Sequence, residues 1–379
     1  MNSLIQTKLF QSSKEVEDYL KSGSYSFCIC FYGAEFDYKE LYSKLISLKI
    51  PFIGCMDIAR LVDHKYYFEE NSLAVMVFSK EIIESVKIIS YDMRKNSNDD
   101  LMYSSSKNYY SKGLNQLGID PSSPNLEREF AINLLYGLQS ANPVLKAQNE
   151  VSLFLQTIGG SSGGKLDFIH SSVISNKGMG SIGATAIIRL NSNYTFITDR
   201  VSSFERINEI LKVTKLKNPR HILELNNKPA AEEYARVIGK QVNELSPETF
   251  ALFTLGIEPG DGEKLITSIM KTDDQTGLLT YNDLLEDTDL NLYKAILQKK
   301  DRENKLKEIQ TMKPIGYISF DCVLCYLSRK ANSEIDSISS LYSEYLKDIP
   351  QIGFGTFSEN FCGANVNQTE TFISFFKSS

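Results

Sequence analysis

Tryptophan is absent from this 379-residue chain and histidine is nearly so, with only His64, His170 and His221. No two of these histidines stand three or four residues apart, which argues against a multi-histidine metal site. No excess of positive charge exists either: the formal net charge is −6. That excludes the basic footprint of non-specific nucleic-acid binding. No apolar run approaches the roughly 18 residues of a membrane-spanning helix. The opening MNSLIQTKLF has neither the charged start nor the apolar core of a signal peptide. A cytoplasmic protein with reduced thiols is therefore expected. The phosphate-binding fingerprints G-x-G-x-x-G and Gly-Lys-Ser/Thr are missing as well.

What is present is a repeat. An apolar run ends in a turn, a helix-length segment follows, and a second apolar run closes on Ile-Gly. The copies are Phe27–Gly33 to Ile53-Gly54-Cys55, Ala131–Gly137 to Ile158-Gly159-Gly160, and Gly316–Cys322 to Ile352-Gly353-Phe354. A further apolar run trails each one: Ser72–Phe78, Ala184–Leu190 and Thr371–Phe376. Repeated β-α-β-loop-β units predict an α/β protein whose Gly-ended loops gather at strand carboxyl ends.

Helices are expected over 11–24, with Ser12 or Ser13 as cap, and over Lys39–Leu48, stopped by Pro51. Residues 92–108 read as an exposed loop before a helix at Tyr109–Leu117. Strands are expected at Ile210–Thr214 and Arg220–Leu225 around an Asn218-Pro219 turn, then a helix begun by Asn227 and Pro229. Short strands with Gly and Asp turns are expected over 250–283. Leu292–Ile309 reads as a long, charged, thinly apolar helix. A domain boundary is placed at about residue 200.

The candidate chemistry is sparse. The Gly-rich loop 159–164 could cradle phosphate but also serves backbone geometry alone. Cys322-x-x-Cys325 lacks a matching second pair of zinc ligands, and its apolar context reads as buried structural thiols. Cys55 and Cys322 follow strands, where nucleophiles sit, and would need a histidine base. Arg60 and Glu359 each lie six residues beyond a repeat glycine. An Arg and a carboxylate facing each other would suit a zwitterion such as an amino acid.

The order and spacing of these motifs resemble the FIST sensory family over about residues 10–376. Ile53-Gly54-Cys55 is similar to its Gly-Cys turn and Ile158-Gly159-Gly160 to its paired-Gly turn. Leu225–Tyr234 is similar to its strand, Pro-Ala and Tyr-bearing helix, and Phe320-x-Cys322 with Arg329 to its F-x-C…R segment. Gly353–Glu359 and Asn367-Gln368-Thr369 are similar to its last two motifs. The resemblance implies a FIST N-terminal-like domain over 1–200 and a C-terminal-like domain over 201–379. Together they would form two packed halves of repeated β-α-β-β units, with mixed sheets and flanking helices. It implies an intracellular small-molecule sensor, with no catalysis and no resident cofactor or metal, that passes its signal to a separate partner such as a histidine kinase. Gly54, Cys55, Arg60, Gly159, Gly160, Cys322, Arg329, Gly353, Glu359 and Thr369 are the expected ligand-site residues. A haem-binding nitric-oxide sensor and a Cys-dependent hydrolase or transferase are the alternatives.

Overall fold

The computed structural model describes residues 4–94, 98–165, 169–258, 260, 264–273 and 276–378. Three six-stranded mixed sheets share one plan. In each, a parallel strand pair joined by helix is flanked by two antiparallel strands on one side and a hairpin on the other. The parallel pairs are Tyr25–Tyr32 with Phe52–Met56, Glu129–Leu135 with Gln156–Ser161, and Gly316–Cys322 with Gln351–Thr356. The predicted repeat is thus three copies of one unit.

The hairpins are exchanged in a ring. The first unit's hairpin, Arg60–Val62 with Lys65–Tyr67, pairs with the third unit's Gln351–Thr356. The third unit's, Ser358–Phe361 with Ala364–Val366, pairs with the second unit's Gln156–Ser161. The second unit's, Val173–Ser175 with Gly178–Gly180, pairs with the first unit's Phe52–Met56. Each sheet is thereby completed by a neighbour, so no unit presents that edge to solvent.

Register explains the Ile-Gly signature. Ile53, Ile158 and Ile352 pair with Ile29, Ile132 and Ile318. All six are buried in one core shared by the three sheets. Phe31 meets Phe354 there at 4.5 Å and Phe130 meets Phe375 at 5.9 Å. Because side chains alternate across a strand, the following glycine points toward the helices. Gly54 lies opposite Cys30, Gly159 opposite Asn133 and Gly353 opposite Ser319. A Cβ on Gly54 would stand 2.3 Å from the Cys30 sulfur. Gly159 also has φ of +151°, and a Cβ there would meet the Asn133 carbonyl oxygen at 1.9 Å.

The helices cover the outer faces. Ser12 caps Ser13–Lys21 in a capping box with Glu15, and Asp37 caps Tyr38–Leu48. Val16, Leu20, Leu41 and Leu45 pack beneath them. The loop expected before Tyr109 is largely helix: Asp99–Leu117 is continuous, capped by Asn98, with residues 95–97 outside the described residues. Its buried seam includes Ser106 and Gly113 beside Met102, Tyr110 and Leu114. The small residues hid the period. A Cβ on Gly113 would come within 2.8 Å of Ile187.

A fourth, antiparallel sheet of eight strands is inserted into the third unit, between Tyr194–Val201 and the helix Lys299–Thr311. Phe204–Asn218 and His221–Leu225 pair across the Asn218-Pro219 turn, and Ala230–Val237 packs against them. Parts of the turns expected over 250–283 (259, 261–263, 274–275) lie outside the described residues. Leu292 is not helical as expected. Asp289–Ala295 is a strand with four consecutive buried residues, paired on both sides, and the helix starts at Lys299. Burial on both edges won over the charged, helix-like composition downstream.

Candidate functional site

The candidate residues fall into two groups. Arg60 and Gly353 lie where the first unit's hairpin joins the third sheet: Arg60 pairs in register with Phe354 and Leu61 with Gly353; Gly54 and Cys55, on the preceding strand, pair with Ile174 and Val173 of the second unit's hairpin in the first sheet. Arg60 is fully buried. Its guanidinium donates to the carbonyls of Ser72 (3.2 Å) and Glu69 (2.6 Å) and lies 2.9 Å from Asp57. Burial outweighs that attraction and pushes the Asp57 carboxyl up from 3.8 to about 7. Burial, then Asp57, also pushes the Cys55 thiol well up.

Gly160, Cys322, Glu359 and Thr369 form the second group. Glu359 pairs in register with Gly160, the position equivalent to Arg60 opposite Phe354. Arg60 and Glu359 therefore repeat one another in different sheets, and no ion pair joins them among the described residues. Glu359 is fully buried and accepts from the Thr356 hydroxyl. Its second carboxylate oxygen has no partner. Burial, then the Cys322 thiol, pushes Glu359 well above its ordinary range. The Thr369 carbonyl accepts from the Cys322 N–H at 3.2 Å. Gly159 lies one residue before this group.

Arg329 sits beside it in a buried polar network that the sequence reading missed. Its guanidinium pairs with Asp321 and donates to the Tyr66 hydroxyl at 2.7 Å. Arg302 pairs with Glu370 and lies 3.7 Å from Asp321. Tyr317 and Tyr342 donate to Glu370 at 3.0 and 2.6 Å. Two cations balance two carboxylates, and Tyr66 comes from the exchanged hairpin. Its sequence signal is the charge interrupting two apolar strands, Asp321 in GYISFDC and Glu370 before TFISFF.

An open cleft of about 1060 Å³ lies elsewhere. It is bounded by the helix Asn142–Val151, the Asn218–Arg220 turn of the inserted sheet, and the Gly363–Asn365 turn of the hairpin that carries Glu359. Arg220 donates to Asp283 (2.6 Å) and Ser140 (2.7 Å), and Asn142 donates to Asp283 at 2.6 Å. Lys146, Asn149 and Glu150 line the opposite wall. The cleft thus carries an Arg220–Asp283 ion pair on one side and Lys146 beside Glu150, itself 2.8 Å from Lys107, on the helix. The Asn218-Pro219 pair was its sequence signal, legible as a turn but not as part of a site; Asn142-Pro143, not singled out in the sequence, opens the helix.

Among the described residues no group of three or more His, Cys, Asp or Glu is placed to hold a metal. His64 hydrogen-bonds Gln351 at 2.7 Å and His221 hydrogen-bonds Asp273 at 2.7 Å. No helix among them is long and apolar enough to cross a membrane.

Compared with known families, residues 26–228 match the FIST N domain and residues 230–362 match the FIST C domain. No curated protein matches the chain.

Proposed function

Since the chain belongs to the FIST family, whose domains are predicted sensory domains of signal transduction, we propose that it is a non-catalytic sensor of a small zwitterion, an amino acid by chemical class. One observation carries this reading: the 1060 Å³ cleft sets Arg220 and Lys146 beside Asp283 and Glu150. Guanidinium or ammonium suits an α-carboxylate, and a carboxylate suits an α-ammonium. The expected residues act at one remove. Glu359 lies on the hairpin whose Gly363–Asn365 turn forms a cleft wall, so closure would bias the buried Cys322–Glu359–Thr369 group. The inserted sheet forms the facing wall, and its movement against the three-unit body would alter a surface read by a separate partner such as a histidine kinase.

A dye-based thermal-shift panel of the proteinogenic amino acids tests this, because the absence of tryptophan makes intrinsic fluorescence a poor probe. A binder at 100 times its dissociation constant should add about 2.7 kcal/mol. Arg220→Ala or Lys146→Ala should weaken the response about tenfold or more. A panel without a saturable response refutes the reading.

A further inference from the structure

We propose that Cys322 and Cys325 are a reversible dithiol–disulfide pair, oxidised by a small-molecule disulfide, with Glu359 as the proton acceptor of Cys322. The proposal goes beyond ligand sensing and does not depend on the cleft.

The fold sets the two cysteines one helical turn apart at the start of one helix. Cys322 ends the strand Gly316–Cys322 and is the N-cap of the helix Val323–Ala331. Cys325 is the helix's third residue, one turn on from Cys322. Helix N-termini favour thiolate. Burial acts the other way and pushes the Cys322 thiol up, so its ionisation needs a base close by. The second, independent observation is Glu359: fully buried, with one carboxylate oxygen unpartnered and the other accepting from the hydroxyl of Thr356, the residue paired in register with Cys322. A buried carboxyl kept without a full set of donors needs a reason, and proton exchange with the thiol supplies one.

Cys325 is 8% exposed against 2% for Cys322 and borders a narrow recess with Ser328 and Gln368. The Cys325 thiol gives its proton to solvent, its thiolate attacks the external disulfide, whose sulfur–sulfur bond breaks, and the departing thiolate takes up a proton from solvent. Cys322 gives its proton to the Glu359 carboxylate and attacks the Cys325 sulfur, and the second external thiolate leaves with that proton. The dithiol is oxidised to one disulfide and the external disulfide is reduced to two thiols. The consequence is local. The Cys325 carbonyl accepts from Gln298 (3.0 Å) and Arg329 (3.2 Å), and Gln298 immediately precedes the helix that follows the inserted sheet. Tightening this turn therefore acts on the joint between insert and body.

The test is peptide mapping by mass spectrometry of the intact wild-type chain after incubation with oxidised glutathione and alkylation under denaturing conditions. The expected result is a Cys322–Cys325 peptide lighter by about 2 Da than its reduced form, with glutathione addition confined to the exposed Cys362. Cys322→Ala should instead trap a glutathione adduct on Cys325. Glu359→Gln should slow closure about tenfold or more and flatten its rise with pH. Recovery of Cys322 and Cys325 as fully alkylated thiols, while Cys362 is modified, would overturn the proposal. An unchanged closure rate in Glu359→Gln would overturn the role of the carboxyl.

Discussion

Replacing Arg329 by Met should destabilise the fold by more than the removal of its hydrogen bonds alone would. In the native network two guanidiniums face two carboxylates, and all four groups are buried. Arg329→Met leaves Asp321, Glu370 and Arg302, a buried net negative charge. Breaking one partner from such a pair costs about 3–5 kcal/mol, because the remaining charge is uncompensated. The Tyr66 hydroxyl loses its partner as well. Unfolding entropy of about 2.1 cal/mol/K per residue gives about 0.8 kcal/mol/K for this length, so the melting midpoint should fall by about 5 °C. The double change Asp321→Asn with Arg329→Met restores the balance, leaving Arg302 against Glu370, and should recover at least about 2 kcal/mol. Lowering the pH should narrow the deficit of the single variant, since a carboxyl can then take a proton. Urea and thermal unfolding followed by far-UV circular dichroism read all of this. A single variant within about 1 kcal/mol of wild type, or a double variant no better than the single, would refute the reasoning.

Asp57 gives a pH signature. Its folded carboxyl is raised from 3.8 to about 7, so the folded state holds the proton more tightly and stability falls as pH rises between those values. The loss approaches about 4 kcal/mol. Wild type measured against Asp57→Asn from pH 4 to 8 should show it, and a pH-independent difference would count against it. Gly159→Ala should destabilise by about 3 kcal/mol or more, because the new Cβ meets the Asn133 carbonyl at a positive φ; a near-normal melting midpoint would contradict the close approach. Glu233, held near 2 chiefly by its hydrogen bond to Arg236, should contribute only about 1 kcal/mol because Arg236 is largely exposed. That contribution should be present above pH 4.5 and lost as pH falls toward 2. Equal acid unfolding of wild type and Glu233→Gln would argue against it.

Much of the fold was legible because the repeat is a register device. Ile must face the common core, and Gly must clear Cys30, Asn133 or Ser319, so the motif recurs wherever a parallel pair forms. The hairpin exchange was not legible. Arg60–Val62 and Ser358–Phe361 are short and look alike whichever sheet receives them, and only the ring of three units decides. The Asp99–Leu117 helix was half hidden because Ser106 and Gly113 pack without being apolar. The candidate residues were found by position but not by setting. Arg60, Arg329 and Glu359 are charged, which reads as surface, yet each is fully buried. The cleft was missed because it joins turns far apart in sequence, and no local pattern records that meeting.

Hydrogen-exchange mass spectrometry of the intact chain, with and without a saturating amino acid taken from the thermal-shift panel, tests the central claim most directly. The account predicts slowed exchange in 140–150, 218–221 and 363–365, with a smaller effect at the joint 295–302. Slowed exchange confined to 60–67 and 322–329, with the cleft walls unchanged, would contradict it.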